Sequence, residues 1–274
     1  MDSTIEDLAE LHFTEQKQPR NRNKSAKPKQ QQQQRAGSGS NSKPSGGGGG
    51  NNRLRGLPKD SPEIRMSKTL SWLLRHGAQS ERLPMRADGF VKVSDLLANK
   101  RVSSESLDFG GLQDMVAKDS KQRFNLKQEG DIWWIAANQG HSMKSVKLET
   151  KPILSLEDIP TKIAVHGTTN AAWNLISKTG LSKMTRNHIH LAQGVAGDSV
   201  VSGMRKSSQV LIFVDVERAL ADGVKFSLSD NGVVLTEGDD RGFLATKYFS
   251  RVETAKRVPV PGWEGDPNPE SPAA

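Results

Sequence analysis

SKTLSWLLRHG, residues 67–77, sets the first lobe of the chain. Leu70, Leu73 and Leu74 recur at helical spacing, so one face of the segment is buried, and the helix ends on the adjacent Arg75 and His76. Gly77 suits the left-handed residue that stops a helix and leaves both side chains on the last turn. Cations near a helix C-terminus also answer the macrodipole. Taken alone, the pair reads either as helix termination or as the edge of a site.

Downstream, Asp88-Gly89 turns the chain into a short strand over residues 90–93, and Ser94 and Asp95 start a capped helix. A second helical stretch runs over about 105–118, with Gly110-Gly111 weakening its middle. Residues 123–127 and 132–136 flank Gln128-Glu129-Gly130-Asp131 as a β-hairpin. Strand alternation sends Trp133 and Trp134 to opposite faces, one into the core and one partly outward, where a ring can stack on a base. Helices followed by a hairpin suggest a winged-helix lobe over residues 61–150. The polar loop after the hairpin carries Asn138-Gln139-Gly140-His141-Ser142.

A connector over 151–156 leads to a second lobe. Residues 163–165 read as a strand delivering His166-Gly167-Thr168 to its end, followed by a helix over 170–179 stopped by Gly180. A glycine at such a strand end lets the backbone approach a ligand closely. Residues 184–192, MTRNHIHLA, contain a short strand that puts His188 and His190 on one face. Residues 210–216 form a strongly apolar strand, with Asp215 as a strand-end cap, and Asn231-Gly232 marks a hairpin between 224–228 and 233–236. The fold class is therefore α+β, with the second lobe over 151–257 and a Pro-rich tail over 258–274.

Composition limits the chemistry. The 274 residues contain no cysteine, which excludes disulfides, thiolate metal sites and a thiol nucleophile. His188, His190, His166 and His141 lack a matching carboxylate partner, so no metal is expected. No apolar run is long enough to span a membrane, and an intracellular setting, cytoplasmic or nuclear, is expected. The net charge is +8, but residues 1–60 carry 11 Lys and Arg against 6 Asp and Glu, so +5 of it sits in a Gln- and Gly-rich segment read as a disordered tail. Recognition of a polyanion therefore rests on particular arginines in the folded part, Arg205 and Lys206 being further candidates for phosphate contacts.

Six motifs in order carry a resemblance: LLRHG at 73–77, KQRF at 121–124, ANQGHS at 137–142, HGT at 166–168, MTRNHIHLA at 184–192 and NGVVLT at 231–236. Together they resemble the RNA 2′-phosphotransferase family, the NAD-dependent enzymes that remove the splice-junction 2′-phosphate from ligated tRNA. The resemblance implies a winged-helix lobe joined to an ADP-ribosyltransferase-like lobe, with the active site between them. The family's Arg-His-Arg-Arg catalytic set falls on Arg75, His76, Arg123 and Arg186. The His-His-hydrophobic signature falls on His166, His190 and Val233, with Gly167, Thr168 and Leu191 alongside the NAD.

In the reaction so implied, the RNA 2′-phosphate displaces nicotinamide from the NAD ribose. The ribose 2″-hydroxyl then attacks phosphorus, releasing ADP-ribose 1″,2″-cyclic phosphate and leaving a 2′-hydroxyl. Guanidinium forks suit a phosphate monoester that carries nearly two charges. Arg75, His76 and Arg123 would position it and Arg186 would assist the second step, with His76 either donating a hydrogen bond or shuttling a proton. The expected partner is an RNA with an internal 2′-phosphate, met by a monomer. Two other activities fit the same features: ADP-ribosylation of terminal nucleic-acid phosphates, and RNA binding without catalysis.

Overall fold

Ser61 accepts the Ile64 N–H on its hydroxyl, and Pro62 takes a position where a missing N–H costs nothing. Helix α1, Pro62–Trp72, accordingly starts there. The structure is a computed structural model describing residues 55–57, 59–195, 203–205 and 207–265. Most of the basic tail, Lys206 and the chain from 266 onward lie outside the described residues.

After Trp72 the helix widens into a π turn, Leu73–Gly77. Leu73 and Leu74 are fully buried beside Leu70 and Met66. The expectation of a left-handed stop at Gly77 does not hold, because Ala78 continues with φ −54° and ψ −46°. The glycine meets a different need: a Cβ there would lie 2.6 Å from the Trp72 ring. That ring lies beneath the guanidinium groups of Arg55 and Arg101, at 4.2 and 5.1 Å from its centroid. A π turn inserts one residue into the helical spiral and so re-aims the side chains that follow it, here Arg75 and His76. Arg55 also donates its backbone N–H to Thr69 Oγ1 at 2.8 Å, and Lys68 pairs with Asp60 at 2.9 Å. Composition placed residues 55–60 in the tail, but these contacts hold Arg55 and Asp60 against α1.

The rest of the first lobe comprises β1 Val91–Lys92, α2 Val93–Ala98, α3 Lys100–Ser103, α4 Phe109–Ala117, β2 Phe124–Glu129 and β3 Ile132–Ala137. The three strands form an antiparallel sheet in the order β1-β3-β2. Helix α4 starts later than the sequence pattern suggested because Asp108 caps it, accepting from the Gly111 N–H. The tryptophans divide as alternation requires. Trp133 packs toward the core, 5.1 Å from Phe109. Trp134 faces away, opposite Lys92 and Lys127, with the Arg86 guanidinium 4.8 Å from its ring.

The second lobe contains β4 Lys151–Ile153, β5 Val165–Thr168, α5 Asn170–Thr179, β6 Leu181–Ser182, β7 Ile189–Leu191, β8 Val210–Val214, α6 Val216–Ala221, β9 Phe226–Leu228, β10 Val234–Thr236, β11 Phe243–Leu244 and β12 Phe249–Thr254. They form a four-stranded sheet, β4-β9-β10-β7, a three-stranded sheet, β12-β8-β5, and the pair β11-β6. A separate apolar core of Ile153, Ile159, Leu191, Ile212, Val234 and Val252 lies among them. The expected Asn-Gly hairpin joins β9 to β10, and Asp215 caps α6. Three expectations shift. The connector contributes β4, His166-Gly167-Thr168 lie within β5, and His188 precedes β7. Nor does the folded part end at 257: Val260 N–H donates to Val252 O, and Trp263 packs edge-on at 5.3 Å from Trp173. Among the described residues no helix is long and apolar enough to cross a membrane.

Gly77→Ala should destabilise the fold by about 1–3 kcal/mol, the usual cost of overpacking a filled site. In a Trp72→Leu background the same substitution should cost less than about 0.5 kcal/mol, a coupling that urea unfolding of the four proteins measures.

Candidate active site

Arg75 and His76 leave the π turn beneath a strap of chain, residues 138–142, that returns from β3. Arg75 Nη2 donates to Gln139 Oε1 at 3.4 Å, and the Arg75 carbonyl accepts the Ser142 N–H at 3.0 Å. His76 Nδ1 lies 2.8 Å from Ser142 Oγ. Gly140, with φ +91°, lets the strap pass close, since a Cβ there would come within 3.3 Å of the Arg75 side chain. The sequence picked out this motif but not its use: it holds the Arg-His pair in place.

The second lobe reaches the strap through Asn187. Its N–H donates to His141 O at 2.8 Å, and its side-chain amide donates to Met143 O at 3.0 Å and Val146 O at 3.2 Å. Arg186 is thereby carried to the cleft, where burial lowers its basicity. Burial, then Arg186, Arg75 and Arg55, hold the His76 pKa at about 4. Cations contributed by both lobes thus act on His76. His190, 9 % exposed, is held well below its ordinary range by burial first and then by Arg186 and Arg75. His166 is likewise lowered by burial and by Arg186, although its Nδ1, 3.0 Å from His190 O, gains a partner.

Arg75, His76, Arg186, His166 and His190 therefore form one electrostatically coupled group. Arg123, just before β2, is joined through its backbone to the strap that holds Arg75. Asp119 holds it twice, accepting the Arg123 backbone N–H at 2.6 Å and forming an ion pair with its guanidinium. The Arg123 carbonyl accepts the Asn138 N–H at 2.8 Å, one residue before the Gln139 that orients Arg75. Across the cleft, Asn231 donates to Gln122 O at 3.1 Å and Lys121 Nζ lies 3.4 Å from Met204 O. Asp119 was missed in the sequence, and Asn231 was read only as a hairpin turn and part of a motif, because nothing local marks either as a partner of an arginine loop.

Gly167 and Thr168 lie half-buried in β5, while Leu191 and Val233 are fully buried, Leu191 within the apolar core of the second lobe. Gly167 carries no side chain because its own chain crosses it: a Cβ would lie 2.7 Å from Met204 Cγ and would also meet Ser208 Oγ. Ser208 is a further residue that the sequence did not suggest. Ser208 Oγ and His190 Nε2 are buried and make no hydrogen bond among the described residues. Both are the kind of polar atom a bound ligand satisfies. No group of three or more His, Cys, Asp or Glu among the described residues is arranged to hold a metal.

Residues 61–238 match the sequence profile of the RNA 2'-phosphotransferase, Tpt1 / KptA family. The chain belongs to the RNA 2′-phosphotransferase family. Its relatives include tRNA 2'-phosphotransferase 1 of Danio rerio, 45% identical over 204 residues, covering 73% of this chain and 90% of the relative. The Homo sapiens protein of the same name is 44% identical over 191 residues, 68% of this chain and 74% of that one. The Saccharomyces cerevisiae tRNA 2'-phosphotransferase is 36% identical over 170 residues, 60% of this chain and 74% of that one. All the motif residues of the cleft lie within the part of this phosphotransferase that matches the family.

The buried imidazoles set an acid limit on stability. Burial and then Arg75 lower His141 to about 3, so it and His76 stay neutral in the fold while the same residues in an unfolded chain take up protons below about 6.5. The fold therefore binds fewer protons, and its stability falls as pH drops from about 6.5 toward 4. Urea unfolding should show a loss on the order of 2 kcal/mol between pH 6 and pH 5 from these two groups. The Gln replacement of His141 should flatten that slope.

Proposed function

We propose that this phosphotransferase removes the splice-junction 2′-phosphate of tRNA by transferring it to NAD, releasing nicotinamide and ADP-ribose 1″,2″-cyclic phosphate. One observation carries the reading: Arg75 and Arg186, one from each half of the chain, both act on the half-buried His76. Like charges held together in a poorly solvated place repel strongly. A doubly charged phosphoryl group is the ligand that relieves this, and planar guanidinium groups hold its oxygens in fixed directions. Arg75, His76 and Arg123 position the phosphate, and Arg186 supports the charge that develops when the ribose hydroxyl attacks phosphorus.

NAD fits the second lobe, read as ADP-ribosyltransferase-like over 151–257, on the chemistry of its donors. His166, Gly167, Thr168, His190, Leu191 and Val233 combine an apolar floor with polar edges, and the buried Ser208 Oγ and His190 Nε2 offer hydrogen bonds that the chain itself does not use. The winged-helix-like lobe, 61–150, carries the phosphate ligands Arg75, His76 and Arg123. An RNA with an internal 2′-phosphate thus meets NAD between the lobes.

Incubation with NAD and an RNA bearing one internal 2′-phosphate tests this. The expected small-molecule products are nicotinamide and the cyclic phosphate. ADP-ribosylated RNA ends would instead support a terminal-phosphate transferase, and RNA retention without nicotinamide release a binding module. Arg186→Ala should slow the second step by roughly 10²–10³, the usual loss on removing a donor to developing charge. ADP-ribosylated RNA should then accumulate, and wild-type turnover by this variant would refute the assignment.

A further inference from the structure

An internal 2′-phosphate never stands alone on its nucleotide. The neighbouring 3′-oxygen carries the chain onward through a phosphodiester, which holds a further negative charge. A cleft that takes such a nucleotide therefore meets two anions side by side. Arg75, Arg123 and Arg186 answer the first of them, the doubly charged one.

Arg55 is a fourth guanidinium near this place. It belongs to none of the six motifs and precedes the residues, 61–238, that match the family. It is exposed, and its charge acts on His76 alongside those of Arg186 and Arg75. Its backbone is anchored: the Arg55 N–H donates to Thr69 Oγ1 at 2.8 Å, and that fully buried threonine donates in turn to Arg65 O at 2.7 Å. The guanidinium lies 4.2 Å from the centre of the Trp72 ring, and the same ring borders Gly77, the residue that follows His76. A guanidinium lying over a ring keeps its N–H donors at its edge, where an oxygen can meet them. Among the described residues Arg55 makes no ion pair, since Glu81, the carboxylate that acts on it, is paired with Arg101 at 2.8 Å. Of the two cations on the Trp72 ring, Arg101 thus has its counter-ion within the fold and Arg55 does not.

We propose that Arg55 binds the phosphodiester on the 3′-oxygen of the nucleotide that loses its 2′-phosphate, and thereby selects internal over 3′-terminal 2′-phosphates. A terminal one, beside a free 3′-hydroxyl, presents no such group. No bond to the 3′-oxygen forms or breaks in the transfer, so Arg55 is a specificity residue and not a catalytic one. Resting on Trp72 spares part of the entropy that a long side chain otherwise loses on binding. This role deepens the reading given under Proposed function and rests on it for the identity of the substrate.

Two RNAs of one sequence test this with the full chain and NAD. One carries its 2′-phosphate at an internal nucleotide, the other at its 3′-terminal nucleotide beside a free hydroxyl. Nicotinamide release gives kcat/KM for each. The wild-type protein should prefer the internal phosphate. Arg55→Ala should lower that preference about tenfold, the loss expected for one hydrogen bond between charged groups. Arg55→Lys, which keeps a cation at the ring, should retain most of it.

Equal losses on both RNAs in Arg55→Ala overturn the proposal, because they report only a loosened Trp72 or a disturbed His76. So does a wild-type protein indifferent to where the phosphate sits, an Arg55→Ala protein with wild-type preference, or an Arg55→Lys protein as indifferent as Arg55→Ala. If neither RNA releases nicotinamide, the phosphotransfer reading fails. Affinities of the two RNAs, measured without NAD, then decide Arg55 by the same comparison of the three proteins.

Discussion

Holding Arg186 beside Arg75 and His76 is electrostatically unfavourable, and the architecture depends on what opposes that repulsion. Neutral hydrogen bonds across the cleft do it: Asn187 ties the second lobe to three carbonyl groups of the 141–146 segment, and Asn231 ties it to the 121–122 loop. Amide groups are suited to this task because they cross the gap without adding a charge of their own. A carboxylate in their place would neutralise the guanidinium groups and compete with a phosphate for them. Asp119 is the instructive contrast, since it pairs with Arg123 and holds its loop as well. That arginine is aimed by an ion pair, while the Arg75 side chain meets the Gln139 amide and its carbonyl accepts the Ser142 N–H.

The same logic accounts for the histidines. Burial and surrounding cations keep them neutral, which lets several imidazoles gather in one place without multiplying the repulsion. Their value lies in direction. A neutral ring presents one hydrogen along one line.

Much of this was legible in the sequence wherever the signal is local. Leucine spacing gave the buried face of the first helix, Asn231-Gly232 gave the β9–β10 hairpin, Asp215 gave a cap, and alternation divided Trp133 from Trp134. The structure also gathers five of the motif residues, Arg75, His76, Arg186, His166 and His190, into one electrostatically linked group. What stayed hidden depends on distant partners. Gly77 looked like a helix stop because a left-handed glycine is the common local explanation, whereas its neighbour is a tryptophan ring held from above by Arg55. Residues 55–60 and 258–263 looked like tail by composition, yet Arg55 and Trp263 each find a ring to pack on. The roles of Asp119, Asn187 and Ser208 follow only from which loops meet in space.

The strap over residues 138–142 has a consequence for taking the protein apart. It belongs by chain order to the first apolar core, but its carbonyls are committed to an asparagine of the second. Severing the polypeptide near residue 150 would give two pieces, one retaining Arg75 and His76 and the other Arg186, each with acceptors and donors stripped of their counterparts. Such fragments should behave as an obligate pair, recovering a phosphate site only on reassociation.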